Sequence, residues 1–260
     1  MRENKVKRTL ARGGVSIGTM CLEFATPGLG RICASAEAEF AVFDMEHSGW
    51  SIETIRMLMA TTRSTEMVPL VRPPSNEYHL IAPVLDMGAM GIVVPFVNKA
   101  EQAQRLVASC KYPPLGRRGT AFTVAHDDYS SGDIPAKMKS CNDEVLVVAQ
   151  IETMEGVQNV EQIAAVEGVD VVWIGQFDLT TSMGIPGQVK HPEFLRVSKR
   201  ILEACQKAGK AAGFGSLILD DVLAAREEGF RFLVYTADLW IFQQALRRGL
   251  RKIRTGSEEE

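Results

Sequence analysis

Eight short runs rich in valine and isoleucine recur along this 260-residue chain, at 15–21, 39–46, 68–73, 91–97, 145–152, 169–175, 211–216 and 230–238. Stretches such as "VLVVA" and "GIVV" are continuously apolar rather than alternating. Strands that read this way are covered on both faces, as in a parallel sheet lined by helices. Between the runs lie segments with helical periodicity and recognisable ends. Ser51 stands where a side-chain cap is needed before "IETIRMLMATTR", with Glu53 in the first turn. A second helix opens at Asn98, a third has Pro192 in its first turn and stops at Gly209, and a fourth stops at Gly229. The basic start "MRENKVKRTLARGG" reads as a short lead-in helix and the end "TGSEEE" as frayed.

Eight strand–helix units in about 250 residues match the usual size of a closed (β/α)8 TIM barrel. A doubly wound open sheet is the alternative, but no G-x-G-x-x-G follows the first run. No linker or repeat divides the chain. The expectation is one barrel domain over 1–253 and a disordered tail at 254–260. An insertion at 111–143 is too long for a plain connection and is a candidate lid.

The net charge of −3, with charges spread evenly, argues against a nucleic-acid or anionic-lipid partner. No apolar run approaches the roughly 18 residues of a membrane span, and the start lacks the apolar core of a secretory signal. The five cysteines, Cys21, Cys33, Cys110, Cys141 and Cys205, have no paired spacing. That pattern reads as reduced thiols in a cytoplasmic protein.

In such a barrel, chemistry sits at the C-terminal ends of the strands. The second run ends in Asp44, Glu46 and His47, the third in Arg72, the fifth in Gln150 and Glu152, and the eighth in Asp238; Asp178 follows the sixth. Polar residues therefore gather on one rim. Glu152 and Asp178 are 26 residues apart, one strand–helix unit, and so project from adjacent strand ends. Two neighbouring carboxylates without His or Cys suit a hard cation such as Mg²⁺ or Mn²⁺. The plainer reading is a pair of helix caps. Arg72 suits two-pronged capture of a carboxylate, or an ion pair with Asp44 or Glu46. His47 is a candidate general base. Of the other histidines, His191 reads as a cap, His79 as a helix-surface residue, and His126 belongs to the insertion. Strands five and six hold no lysine for a Schiff base. Gly213 and Gly215 fit either a phosphate site or close packing.

These residues, with "DMEHSGW", "PLVRPP", "VLDMGAMGIVVPFV", "YPPLGRRG", "AQIET", "VEGVDVVWIGQFDLT" and "HPEF" in order over nearly the whole chain, resemble the HpcH/HpaI aldolase family of metal-dependent pyruvate aldolases. The resemblance implies a barrel of the phosphoenolpyruvate/pyruvate type, assembled as a homohexamer, a trimer of dimers with exchanged C-terminal helices. It implies Glu152 and Asp178 as ligands for Mg²⁺, Mn²⁺ or Co²⁺, and Arg72 as the holder of the pyruvate oxygens. His47 becomes the catalytic histidine, with Asp86 as its partner. Gly175 and Phe177 fall at backbone positions cradling the pyruvate carboxylate, with Gln150 beside the site and Asp44 and Glu46 supporting it. Nothing in the residues alone singles out Asp86.

The activity so implied is cleavage of a 4-hydroxy-2-oxo acid to pyruvate and an aldehyde. Decarboxylation of oxaloacetate at the same site is the alternative, and a non-catalytic keto-acid binder the reading from another class. The chain departs from the family's usual pattern at Met45 and at Gln176–Phe177, and its "TAFTVAHDDY" loop has no evident counterpart.

Overall fold

The computed structural model describes residues 2–256. A lead-in helix α1 (Lys5–Ala11) precedes β1 (Ser16–Cys21). Then follow α2 (Leu29–Ser35), β2 (Phe40–Asp44), α3 (Ile52–Thr62), β3 (Val68–Arg72), α4 (Tyr78–Asp86), β4 (Gly91–Val94) and α5 (Ala100–Cys110). The second half holds α6 (Ile134–Glu144), β5 (Leu146–Ile151), α7 (Met154–Gln158), α8 (Val160–Ala164), β6 (Val171–Ile174) and α9 (Gln176–Ser182). It ends with α10 (Pro192–Lys207), β7 (Ala211–Ser216), α11 (Leu219–Glu228), β8 (Phe232–Ala237) and α12 (Asp238–Thr255). The eight strands pair in parallel, in chain order, and β1 closes on β8. All eight apolar runs are strands. Most observed strands are one to three residues shorter at an end than the runs.

Alternate strand residues divide into two cores. Ala41, Phe43, Val71 and Val147 face the helices, whereas Phe40, Val42, Leu70, Val148 and Phe232 fill the barrel. Near its floor Phe40 stacks on Phe232 with ring centroids 4.2 Å apart. A Cβ at Gly18 would lie 2.5 Å from the Phe40 ring, so the glycine makes that stack possible. Truncating a ring in such a packed position costs about 3–5 kcal/mol.

The helix ends follow the capping signals. Ser51 accepts from the Thr54 N–H, His191 Nδ1 from the Glu193 N–H, and Gly229 closes α11 at φ +110°. α5 begins one residue later than a cap at Asn98 implies, because the Gln102 side chain turns back to accept from the N–H groups of both Asn98 and Lys99. α12 runs two residues past 253, to Thr255, with Gly256 as its C-cap; the last four residues of the expected tail, 257–260, lie outside the described residues.

Two features differ from expectation or stand apart. The insertion does not lie across the strand C-termini, and none of its residues lines the cavity there. It packs along α4 and the end of α3 instead: Gly119 N–H donates to the Tyr78 hydroxyl, Arg118 pairs with Asp86, and Arg63 binds the Ala125 carbonyl and Asp128. An αβ connection starts and ends at the N-terminal rim, which keeps this segment away from the mouth of its own barrel. α12 has no buried residue and leaves Phe242, Leu246, Leu250 and Ile253 exposed on its surface. Its first turn is anchored: the Asp238 carboxylate accepts from the N–H groups of Leu22 and Phe24 at 3.0 and 2.9 Å.

Among the described residues no helix is long and apolar enough to cross a membrane. All five cysteines are buried and free.

Candidate active site

Parallel pairing in register sets Asp44, the last residue of β2, directly opposite Arg72, the last residue of β3. Arg72 donates from Nε to Asp44 Oδ1 at 2.8 Å and from Nη2 to Oδ2 at 2.7 Å. Asp44 is fully buried and Arg72 nearly so. The same carboxylate accepts from the backbone N–H groups of Glu46 and His47, which folds the chain after β2 into a tight turn. Asp44 thus aims the arginine and shapes the loop carrying the histidine. Burial works against the guanidinium charge, yet Asp44 and Glu46 outweigh it and hold Arg72 above its ordinary range. Its Nη1 turns toward Gln150 Oε1 at 3.5 Å. Glu46 Oε2 lies 3.3 Å from Arg72 Nε and 3.6 Å from His47 Nε2, without a hydrogen-bond partner among the described residues.

Glu152 follows β5 and is 1% exposed. Its Oε2 accepts from the Phe96 N–H at 2.8 Å. A Cβ at Gly175 would fall 2.4 Å from Glu152 Cγ, so this glycine is what lets the carboxylate pack against the end of β6. Burial pushes the Glu152 carboxyl up to about 8, assisted by the charges of Glu46 and Asp178 and opposed by the Phe96 N–H. Burial raises Glu46 as well, against the pull of Arg72. Asp178 sits in the first turn of α9, whose N-cap is Gly175. Crowded carboxyls, one of them buried and proton-retaining and another with an orphaned oxygen, are what a bound cation would relieve. Among the described residues no three His, Cys, Asp or Glu side chains gather tightly enough to enclose an ion unaided. The donor set therefore fits an ion that keeps water and substrate oxygens in its shell, as Mg²⁺ does.

His47, Arg72, Gln150, Glu152, Gly175, Phe177 and Asp178 all line one cavity of about 400 Å³ at the strand C-termini, with Asp44 and Glu46 directly behind. Asp86 is not with them. It ends α4 and pairs with Arg118 Nη2 at 2.5 Å, with His126 Nδ1 at 3.9 Å. The pairing of Asp86 with His47 implied by the resemblance is thus not made within this chain, because α4 carries its last residue back toward the rim where β4 begins.

The cavity also has contributors that the sequence conceals. Phe96, at φ +52°, offers only its N–H, which residue type does not reveal. Trp173 and Thr236 line the wall formed by β6 and β8. Gly213 and Gly215 are packing glycines here: added Cβ atoms would lie 2.9 Å from Trp173 Cβ and 3.3 Å from its Cζ2.

A family model, HpcH/HpaI aldolase/citrate lyase, matches residues 19–244. The chain belongs to that family. This aldolase is 35% identical over 245 residues to a 5-keto-4-deoxy-D-glucarate aldolase of Klebsiella pneumoniae, covering 94% of each chain. It is 34% identical over 238 residues to a hydroxypyruvate/pyruvate aldolase of Roseobacter denitrificans, covering 91% of each. A crystal structure of an HpcH/HpaI aldolase from Desulfitobacterium hafniense superposes with a TM-score of 0.92 at 30% identity, covering 96% of each chain. The aldolase is an enzyme of carbon–carbon bond cleavage, and its closed eight-stranded barrel is the TIM barrel expected.

Proposed function

We propose that this aldolase cleaves a 4-hydroxy-2-oxo acid to pyruvate and an aldehyde, with a divalent cation held by Glu152 and Asp178. The observation that carries the reading is the buried Glu152 carboxyl, which lines one cavity together with Asp178 and Arg72. Mg²⁺, Mn²⁺ or Co²⁺ suits such a pair. The ion, when bound, supplies Lewis-acid polarisation of the keto oxygen.

The protein's own groups do the rest. Arg72, fixed in its fork by Asp44, donates from the cavity side to the keto-acid oxygens and stabilises negative charge that develops as C3–C4 breaks. The first N–H groups of α9, from Gln176 and Phe177 beside Gly175, have no carbonyl one turn back and receive the pyruvate carboxylate. Gln150 braces Arg72 Nη1. His47, whose side chain is 54% exposed at the mouth, takes the C4 hydroxyl proton through a water in cleavage and returns it in condensation. Asp86 does not line the cavity of its own chain, so its partnership with His47 is assigned to neighbouring copies. The unpartnered face of α12 supports the same view: a hexamer, as a trimer of dimers, in which α12 lies on a neighbour. The five unpaired thiols suit a cytoplasmic enzyme, and its partners besides further copies of the chain are small molecules.

Exchange of pyruvate methyl protons with D₂O tests the reading without any aldehyde. Exchange is expected with Mg²⁺ or Mn²⁺ and is lost with EDTA or in Arg72→Ala. Metal-independent exchange in a Glu152→Ala/Asp178→Ala double variant refutes the cation assignment. Binding of pyruvate with no exchange at all refutes the aldolase reading in favour of a binder.

A further inference from the structure

Cys21, the last residue of β1, and Cys33, in α2, place their sulfurs 3.8 Å apart. A disulfide needs about 2.05 Å, so the two atoms stand about 1.8 Å from bonding distance. The pair is unequally placed. Cys33 is 9% exposed and Cys21 0%, while Cys110, Cys141 and Cys205 are at 1%, 2% and 0%. The most accessible thiol of the five is therefore the one with a second sulfur in contact.

The protons are divided in the same way. Burial pushes Cys110 and Cys205 up to about 12 and Cys141 up to about 11, where a thiol is inert. The contact with Cys21 holds Cys33 below the ordinary thiol range, against burial and the charge of Asp238. The same contact, with burial, holds Cys21 well above that range. One member is the readier nucleophile and the other keeps its proton, as an attacking and a resolving thiol do.

The surroundings tie this pair to the cavity mouth. Directly after Cys21, the Asp238 carboxylate accepts from the N–H groups of Leu22, Glu23 and Phe24. Leu22 and Glu23 line the cavity, and the Phe24 ring meets Phe242 of α12 edge-on at 5.6 Å. β1 is paired on both edges, to β2 and β8. α2 has seven residues and no side-chain cap at Gly28, so it is the less firmly held of the two elements.

We infer that Cys21 and Cys33 form a reversible thiol–disulfide pair through which hydrogen peroxide regulates the mouth of the cavity. The Cys33 thiolate attacks a peroxide oxygen; the O–O bond breaks, hydroxide leaves and takes up a proton as water, and Cys33 becomes a sulfenic acid. The Cys21 sulfur then attacks the Cys33 sulfur; the S–O bond breaks and the hydroxyl leaves as water with the Cys21 proton. Two thiols and one peroxide give a disulfide and two waters, the sulfurs having passed two electrons to the peroxide oxygens. The new bond draws α2 toward the end of β1 and shortens the span left to residues 22–28, and with it the wall that carries Leu22 and Glu23.

The test uses the full chain, reduced, freed of reductant, treated with hydrogen peroxide and cleared of it. Expected on digestion is a peptide joining Cys21 to Cys33, two hydrogens lighter than its parts, with Cys110, Cys141 and Cys205 still open to alkylation after unfolding. Oxygen added to Cys33 without a joined peptide overturns the proposal, as does a link from either thiol to another cysteine. Methyl-proton exchange of pyruvate with Mg²⁺ is the second reading. It should fall about ten-fold or more in the linked protein, the scale of a wall displaced by about 1 Å, and return with dithiothreitol. In Cys33→Ala it should start near the wild-type rate and ignore peroxide. A linked protein that exchanges as fast as the reduced one overturns the regulation. Only this second reading rests on the aldolase assignment, which a reduced wild type without exchange would sink. The thiol pair is then decided by the joined peptide and by the Leu22, Glu23 and Phe24 amides, whose protection against deuterium the link should raise; unchanged protection overturns its action on the mouth.

Discussion

Arg72 and Asp44 close the ends of adjacent strands and meet in a two-pronged ion pair, at 2.8 and 2.7 Å, from which water is almost wholly excluded. Removing one partner strands the other charge. Asp44→Ala should therefore destabilise the fold by about 3–5 kcal/mol, the usual consequence of breaking a buried pair. Methyl-proton exchange should fall with it, since the guanidinium loses its aim. Urea unfolding of the two proteins decides the point; a variant as stable as wild type contradicts it.

Glu152 behaves in the opposite sense. Its carboxyl is buried at a cost that the fold bears for function, so Glu152→Gln should match or exceed the wild type in stability. It should lose the cation, and with it about a thousand-fold in exchange rate, the several kcal/mol that a Lewis acid contributes. Calorimetric titration with Mn²⁺ and a thermal melt together read both effects.

His126 should make the fold acid-sensitive. Burial, assisted by Arg118, holds its imidazole below the ordinary value, while Asp86 and Asp127 pull the other way and the Tyr112 hydroxyl lies 3.4 Å from Nε2. The unfolded chain then takes up the proton at higher pH than the folded one. Stability is present above the ordinary imidazole range and is lost as pH falls through it. Glu152 titrates in the opposite sense in both proteins, so between pH 7.5 and 5.5 the urea midpoint of the wild type should lose ground relative to that of His126→Gln; parallel slopes would count against this.

The α12 surface should govern assembly. Leu246 and Ile253 are 48% and 81% exposed, so charging them costs the single chain little. Leu246→Glu/Ile253→Glu should lower the sedimenting mass while leaving the far-ultraviolet spectrum of the barrel intact. An unchanged mass would argue against this helix as a contact between copies.

The barrel was legible because parallel strands buried on both faces leave uninterrupted Val and Ile runs, and because Ser51, Pro192 and Gly229 act locally at helix ends. The charged half of the cavity was legible too, since strand-end acids and Arg72 stand out by type. What stayed hidden acts through geometry. The Phe96 N–H belongs to every residue alike. Trp173 and Thr236 look like ordinary strand residues, and only the closed barrel shows that they line the cavity. Asp86 stayed hidden for a different reason: its assignment came from resemblance, and only the path of α4 shows that it lies away from the cavity of its own chain.

The Phe40–Phe232 stack has a kinetic meaning. It blocks the far end of the barrel, so everything enters and departs through one doorway. Traffic must then queue. If the proposed reaction runs with the keto acid bound innermost, the aldehyde should exit before pyruvate, and pyruvate should inhibit competitively against the 2-oxo acid and the aldehyde noncompetitively.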